Sequence, residues 1–117
     1  MRLRQFVREK AVAQGLSLID QTKFVTAASE LARNTLVYGL GGTMRLETVL
    51  NDRRRGLRLT FEDQGPGIAD TTLALTDGYT TGTGLGLGLS GARRLSQDFE
   101  LSSKPGEGTR VTIARWK

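Results

Sequence analysis

The chain contains no cysteine and no histidine among its 117 residues. It can therefore form no disulfide, offer no thiolate nucleophile, build no Cys/His metal site and carry no phosphohistidine of its own. The groups that remain for chemistry are carboxylates, hydroxyls, amides, cationic side chains and a metal held by oxygen atoms. These groups are the ones that commonly bind and transfer phosphate.

Long hydrophobic runs are also missing. No apolar stretch approaches the roughly 20 residues that a helix needs to cross a bilayer, and the first residues, Met1 to Phe6, lack the apolar region and cleavage site of a secretory signal. We therefore expect a cytoplasmic protein without a membrane partner. The length suits a single domain covering residues 1–117.

A net charge of +5 and a pI near 10.2 would favour polyanionic partners such as nucleic acid. The most concentrated basic segment, Arg53-Arg54-Arg55, follows Asn51-Asp52 and precedes Gly56, where a hairpin turn is expected. No aromatic residues alternate with these arginines to form a stacking surface. We predict a solvated turn there and no nucleic-acid partner, and rank nucleic-acid binding last among the candidate functions.

Hydrophobic periodicity predicts an alternation of helices and strands. Gly15 supplies a stop for the first helix, Asp20 is the expected N-cap of a longer second helix, and Tyr38-Gly39 ends that helix. The predicted order is helix 3–14, helix 20–37, strand 43–50, strand 57–63, loop 65–84 with a helical turn at 71–75, a helix from 87 or 88 to 97, strand 99–103 and strand 109–116. This order predicts an α/β (α+β) two-layer sandwich with a mixed or antiparallel sheet and helices on one face.

The strand that ends at Asp63 carries the first candidate site. Leu57, Leu59 and Phe61 share one face, and the same parity places the Asp63 carboxylate on that apolar face. Such a carboxylate can accept a hydrogen bond from an adenine amino group, and the glycines of Gln64-Gly65-Pro66-Gly67 leave room for the base. The alternative is an ordinary strand exit in which Asp63 caps the turn.

Glu30 and Asn34 form the second candidate, because a spacing of four places both on one side of the long helix. A solvated helix face explains most such pairs. Here the neighbours Ala27, Leu31 and Tyr38 make that side apolar, and polar groups at its edge need a partner. We therefore favour a ligand-binding role for the pair.

The third candidate is the glycine run from Gly82 to Gly88, which precedes a predicted helix. Free backbone N–H groups and the positive helix end attract an anion there, so phosphate binding is its natural use, and a flexible loop is the alternative. A Walker P-loop is excluded because no Gly-Lys-Ser/Thr ending follows. The Gly-x-Gly-x-x-Gly spacing at residues 86–91 we interpret as accidental, since a long polar segment, not a strand, comes before it.

Taken together, four boxes resemble those of the GHKL (histidine-kinase-like) ATPases, in order and over nearly the whole chain. They are Ser29-Glu30-Leu31-Ala32-Arg33-Asn34, Asp63 to Ile68, the glycine run, and Gly106-Glu107-Gly108-Thr109. Within that superfamily the chain is most similar to small bacterial serine/threonine switch kinases of the RsbT type, which belong with anti-sigma factor kinases. The resemblance implies a Bergerat-type, histidine-kinase-like ATPase fold.

The resemblance also implies residue roles. Glu30 would be the catalytic general base, Asn34 would coordinate Mg²⁺, Asp63 would bind adenine with Thr109 nearby, and the glycine run would surround the phosphates. The implied ATP-binding set is Asn34, Asp63, Gly65, Gly67, Ile68, Gly82, Thr83, Gly84, Leu85, Gly86, Leu87, Gly88 and Thr109.

In such a kinase the γ-phosphate passes to a Ser or Thr of a STAS-domain antagonist protein, for example a stressosome component, and partner exchange follows. Members of this kind can also activate a PPM-type phosphatase. The alternative function is a nucleotide-gated anti-sigma factor or regulatory binding module that needs no turnover. We rank sigma-factor sequestration second, because direct anti-sigma kinases usually carry His-Gly where this chain has Tyr38-Gly39.

Overall fold

A four-stranded antiparallel sheet forms one layer of the protein, in the strand order β1-β2-β4-β3. The computed structural model describes residues 2–37, 40–68 and 85–117. The elements are α1 (Arg2–Ala13), α2 (Leu18–Val37), β1 (Gly42–Asn51), β2 (Arg54–Asp63), α3 (Leu85–Arg94), β3 (Asp98–Ser103) and β4 (Thr109–Trp116). The predicted two-layer architecture is confirmed, with the sheet antiparallel and not mixed. The helical turn predicted at 71–75 lies outside the described residues.

The helices pack on one face of this sheet and enclose the core. Along α2, Phe24, Ala27, Ala28 and Leu31 recur at helical spacing and are all buried. They meet Leu57, Leu59 and Phe61 of β2, Val111 and Ile113 of β4, Val7 and Ala11 of α1, and Leu89 and Ala92 of α3. Burying one large side chain of this kind contributes about 1.5–3 kcal/mol, so this layer contact supplies most of the drive to fold.

The opposite face of the sheet is polar, and none of the described helices covers it. Glu47 of β1 lies directly across from Arg58 of β2, and Arg58 Nε donates to Glu47 Oε1 at 3.2 Å. This hydrogen bond holds the pKa of Glu47 below its ordinary value and raises that of Arg58. No helix in the described part of the chain is long and apolar enough to span a bilayer.

The start of α2 differs from the prediction. The backbone N–H of Asp20 donates to Ser17 Oγ at 3.1 Å, so Ser17 is the N-cap and the prediction of Asp20 in that role is wrong. Asp20 instead accepts a hydrogen bond from Arg115 Nη2 of β4 at 2.9 Å. Arg115 also donates to the Leu95 carbonyl at 2.9 Å, and this one side chain therefore connects the start of α2 and the end of α3 to the sheet.

The β1–β2 hairpin is tighter than the sequence suggested. Asn51 pairs with Arg54, which leaves Asp52 and Arg53 as a two-residue turn with φ of 51° and 68°. Positive φ at both positions is typical of a type I′ turn, whose twist matches the strands. The wider turn predicted up to Gly56 is wrong, since Gly56 lies buried within β2 against the ring of Trp116. The three arginines are exposed, as predicted.

Helix α3 (Leu85–Arg94) begins before the predicted start at 87 or 88, and it ends three residues before the predicted end at 97. Leu89 and Ala92 are buried, as predicted, and Leu95 packs half-buried just beyond the helix. The chain leaves the helix here because Gln97 N donates to the Ala114 carbonyl and starts the approach to β3.

The loop after β2 and the loop before β4 interlock at one end of the strands. The backbone N–H of Gly106 donates to the Pro66 carbonyl at 2.7 Å. Gly67 and Gly108 both have positive φ, 78° and 80°, and a Cβ on either would collide with a backbone carbonyl of the other loop, that of Lys104 or of Asp63. Only glycine fits at these two positions.

Removing the Asp20 carboxylate should destabilise the protein, because the Arg115 side chain, 12% exposed, would lose its carboxylate partner and keep the Leu95 carbonyl. We expect Asp20→Ala to lower the free energy of unfolding by about 1–3 kcal/mol in urea denaturation. Glu9→Ala, at an exposed position of α1, is the control and should change it by less than about 0.5 kcal/mol. Equal effects of the two substitutions would contradict the assigned role of Asp20.

Gly67→Ala should be strongly destabilising, since the new methyl group meets the Lys104 carbonyl at a positive φ. We expect a loss of about 2–4 kcal/mol, measured by thermal and urea unfolding. Gly91→Ala is the matched control: Gly91 is helical and nothing lies within 4 Å of the added atom, so that change should be neutral or stabilising by about 0.5–1 kcal/mol.

Candidate functional site

A cleft of about 410 Å³ opens between α2, α3 and the sheet, at the edge where the two loops interlock. This figure counts all the space between the lining atoms, including space open to solvent. Apolar side chains form most of its floor and a few polar groups its edge. The described lining residues are Leu31, Asn34 and Thr35 of α2, Phe61 and Asp63 of β2, Gly67 and Ile68 of the following loop, Leu89 of α3, and Thr109 and Val111 of β4.

Asp63 closes the apolar face of β2, as the strand parity predicted. It pairs directly with Thr109 of β4, so the two side chains lie side by side at the same end of the cleft. The Gly65 N–H donates to Asp63 Oδ1 at 2.9 Å, which fixes the carboxylate. The second oxygen, Oδ2, can then accept a hydrogen bond from a ligand.

Asn34 provides the second polar group of the cleft. Its Nδ2 atom is buried and has no hydrogen-bond partner among the residues that the structure describes. An unpaired buried polar atom costs about 1–3 kcal/mol. A flip of the Asn amide exchanges its N and O atoms. Either atom can therefore take this buried position and contact a ligand, the nitrogen as a donor to an anion or the oxygen as a ligand of a hard cation.

Ser103, at the end of β3, ties the polar end of the cleft together. Its Oγ accepts from the Ile68 N–H at 2.8 Å, donates to the Gly108 carbonyl at 3.0 Å, and lies 2.8 Å from Thr109 Oγ1. Ser103 was not among the site residues predicted from the sequence. The available signal was the two-residue period of β3, which places Ser103 on the same face as Phe99 and Leu101.

Several predicted site residues come together here. Asn34, Asp63, Gly67, Ile68 and Thr109 all line the cleft. Gly65 is buried and contributes its N–H to Asp63. The apolar lining residues Leu31, Phe61, Leu89 and Val111 were not assigned to the site from sequence, although the core periodicity of their elements indicated that they face inward.

Other predicted site residues are not in the described lining of the cleft or lie outside the described residues. Glu30 is half-buried on α2, one turn before Asn34, and is not among the described residues that line the cleft. Leu85, Gly86, Leu87 and Gly88 form the first turn of α3, whose next residue, Leu89, lines the cleft. Gly82, Thr83 and Gly84 lie outside the described residues.

The arrangement suits a flat, largely apolar group with hydrogen-bond donors at one end. The floor packs on its faces, while Asp63 and Thr109 meet its polar edge. The start of α3 precedes Leu89 of the cleft lining, and the first N–H groups of an α-helix have no partners within the helix, so this helix start is the candidate anion-binding end of the site. A purine base followed by phosphates combines these features.

Comparison with known proteins agrees with this geometry. The chain is 42% identical over 113 residues to the serine/threonine-protein kinase RsbT of Bacillus subtilis (strain 168), which covers 97% of this chain and 85% of that protein. It also resembles the histidine kinase domain of the Erythrobacter litoralis EL346 blue-light activated histidine kinase, with a TM-score of 0.60 and 23% identity over 85% of this chain. The chain spans 48% of that structure, and the likeness concerns the fold.

The family model for histidine kinase-, DNA gyrase B- and HSP90-like ATPases matches residues 19–117, from the first turn of α2 to the last residue. This span contains every residue described in the lining of the cleft. The chain therefore belongs to the family of histidine kinase-, DNA gyrase B- and HSP90-like ATPases.

Proposed function

We propose that this chain is an ATP-dependent protein serine/threonine kinase of a partner-switching pathway. The observation that carries the proposal is its 42% identity, over 97% of its length, to a protein named as a serine/threonine-protein kinase. The family membership and the described cleft support ATP as the phosphate donor. The enzyme transfers the γ-phosphate of ATP to a Ser or Thr hydroxyl of another protein.

Asp63 and Thr109 hold the adenine end of the nucleotide in this proposal. The free Asp63 oxygen accepts from the exocyclic amino group, and Leu31, Phe61 and Val111 pack on the base. The start of α3 faces the phosphates with its unpaired N–H groups. The glycines 82–84, which precede it, are proposed to complete the phosphate site.

Asn34 fits the proposed magnesium site. Among the described residues no three acidic side chains form a cluster that could hold a metal alone. Mg²⁺ commonly takes one or two protein oxygens and keeps phosphate and water as its other ligands, so a single amide oxygen suits it. The ion would neutralise charge on the phosphates, and Asn34 would orient it from the buried end of the cleft.

Glu30 is the proposed general base. The acceptor hydroxyl oxygen forms a bond to the γ-phosphorus, the bond to the bridging oxygen breaks, and ADP leaves. The hydroxyl proton passes to the Glu30 carboxylate. Glu30 stands one helical turn from Asn34, about 5–6 Å between Cβ atoms, and is half-buried. In this proposal its carboxylate lies beside the phosphates, and the base-binding floor stays free.

The proposed acceptor is a STAS-domain antagonist protein in the cytoplasm, with a PPM-type phosphatase as a second partner. The sequence resemblance supports this choice. A phosphate adds about −1.5 to −2 charges to the acceptor, which can release it from an interface through repulsion and desolvation. Phosphorylation would then exchange the partners of the kinase.

One observation supports a binding-module alternative. Glu30 lies outside the described lining of the cleft, so the cleft could bind a nucleotide without the proposed general base. A nucleotide-gated module would bind its protein partner with different affinities in the presence of ATP, ADP or no nucleotide, since a ligand shifts only equilibria for which it has differential affinity.

Titration calorimetry with Mg-ATP checks the nucleotide site. We expect binding by the wild type and a Kd raised about 10–100-fold by Asp63→Asn, because a hydrogen bond to a charged acceptor contributes roughly 1.5–3 kcal/mol. Asp52→Asn, in the exposed hairpin turn, is the control and should bind as the wild type does. Absence of heat and of thermal stabilisation with every adenine nucleotide would remove the proposed function.

Transfer of labelled phosphate to a purified STAS-domain protein checks the role of Glu30. We expect Glu30→Gln to reduce kcat by about 10²–10⁴ while the Kd for ATP stays unchanged, because only proton transfer is lost. Glu9→Gln, exposed on α1, should keep full activity. Undiminished transfer by Glu30→Gln would reject the general base, and ATP binding by the wild type without transfer would favour the binding module.

A further inference from the structure

The hydroxyl of Ser103 contacts three groups at the polar end of the cleft. The Ile68 N–H donates to it at 2.8 Å, it donates to the Gly108 carbonyl at 3.0 Å, and Thr109 Oγ1 lies 2.8 Å away. Ser103 is half-buried and pairs with Thr109 across β3 and β4. These contacts place Ser103 beside the base-binding end of the cleft, although Ser103 is not among the described residues that line the cleft.

The number of protons decides the direction of the hydrogen bond between Ser103 and Thr109. A serine hydroxyl has one proton and two acceptor sites. The Ile68 N–H occupies one acceptor site, and the serine proton goes to the Gly108 carbonyl. The second acceptor site remains, so Thr109 must donate its proton to Ser103 for all three contacts to be hydrogen bonds.

This direction determines what Thr109 offers to a ligand. With its only proton directed at Ser103, the Thr109 oxygen presents acceptor sites alone to the cleft. The neighbouring Asp63 carboxylate is also an acceptor, and its Oδ1 is already bonded to the Gly65 N–H. Where both acceptors face the substituent at C6 of a purine, they match the two protons of an amino group, whereas a carbonyl oxygen at C6 would meet two acceptors.

We propose that Ser103 is a positioning residue that sets the preference for a 6-aminopurine over a 6-oxopurine by holding Thr109 as an acceptor. The inference rests on the proposed function, since it names the base specificity of the same site. Ser103 lines an adjoining surface cleft of about 680 Å³, of which Asp63 and Thr109 form the shared wall. It acts on the base through Thr109.

The test compares ATP with inosine triphosphate, which carries an oxygen in place of the amino group. Calorimetry gives the Kd of each nucleotide for the wild type, Ser103→Ala and Ser103→Thr. In Ser103→Ala the Thr109 hydroxyl is free to turn and donate, so the ratio of the inosine triphosphate Kd to the ATP Kd should fall about fivefold. This corresponds to one neutral hydrogen bond of roughly 1 kcal/mol. Ser103→Thr keeps the hydroxyl and should restore the wild-type ratio.

A background without the Thr109 hydroxyl separates positioning from simple structural support. Thr109→Val should itself lower the ratio of the inosine triphosphate Kd to the ATP Kd. Adding Ser103→Ala to Thr109→Val should not lower this ratio further. Ser103→Ala also removes the acceptor of the Ile68 N–H, and a merely structural effect would weaken both nucleotides equally. The inference is overturned if Ser103→Ala leaves the Kd ratio unchanged. It is also overturned if Ser103→Ala lowers the ratio further in the Thr109→Val background.

The remaining outcomes are also decisive. If thermal unfolding shows that Ser103→Ala does not fold, Thr109→Val alone decides, and a wild-type ratio in that variant overturns the inference. If the wild type binds ATP but prefers it no more than inosine triphosphate, this inference fails while the proposed function stands. If the wild type binds neither nucleotide, the proposed function fails and the inference with it.

Discussion

The register between β2 and β4 is the constraint on which the site depends. It places Asp63 directly opposite Thr109, at the ends of two central strands. Because side chains alternate with a period of two, a slip by one residue would turn Asp63 to the polar face and bury Glu62 in its place. The burial of Leu57, Leu59 and Phe61 on the same face opposes that slip. Core packing thus fixes the position of the Asp63 carboxylate.

The helical layer adds the second half of the site. The same stripe of α2 that buries Phe24, Ala28 and Leu31 continues toward Asn34, and so the amide reaches the cleft from above the sheet. Arg115 secures this layer at its far end through Asp20 and the Leu95 carbonyl. Core residues and cleft-lining residues therefore lie on the same elements, and both the sheet and the helices are needed to form the cleft.

The elements and the polar ends of the cleft were predictable because they depend on local periodicity. Strand parity alone placed Asp63, and helical spacing placed Asn34. What failed depended on contacts distant in sequence. Ser17 and Asp20 are both good capping residues. The Asp20 N–H donates to Ser17 Oγ, whereas the Asp20 carboxylate is engaged by Arg115, which is distant in sequence. Ser103 escaped notice because its role comes from three partners on two other segments.

The interlocked loops after β2 and before β4 also constrain how this domain can vary. Gly67 packs against the Lys104 carbonyl and Gly108 packs against the Asp63 carbonyl, so the conformation of each loop depends on that of the other. Insertions or deletions at either place would have to be accompanied by matching changes at the other. Grafting experiments that exchange these loops between relatives should accordingly move residues 63–68 and 104–108 as one cassette.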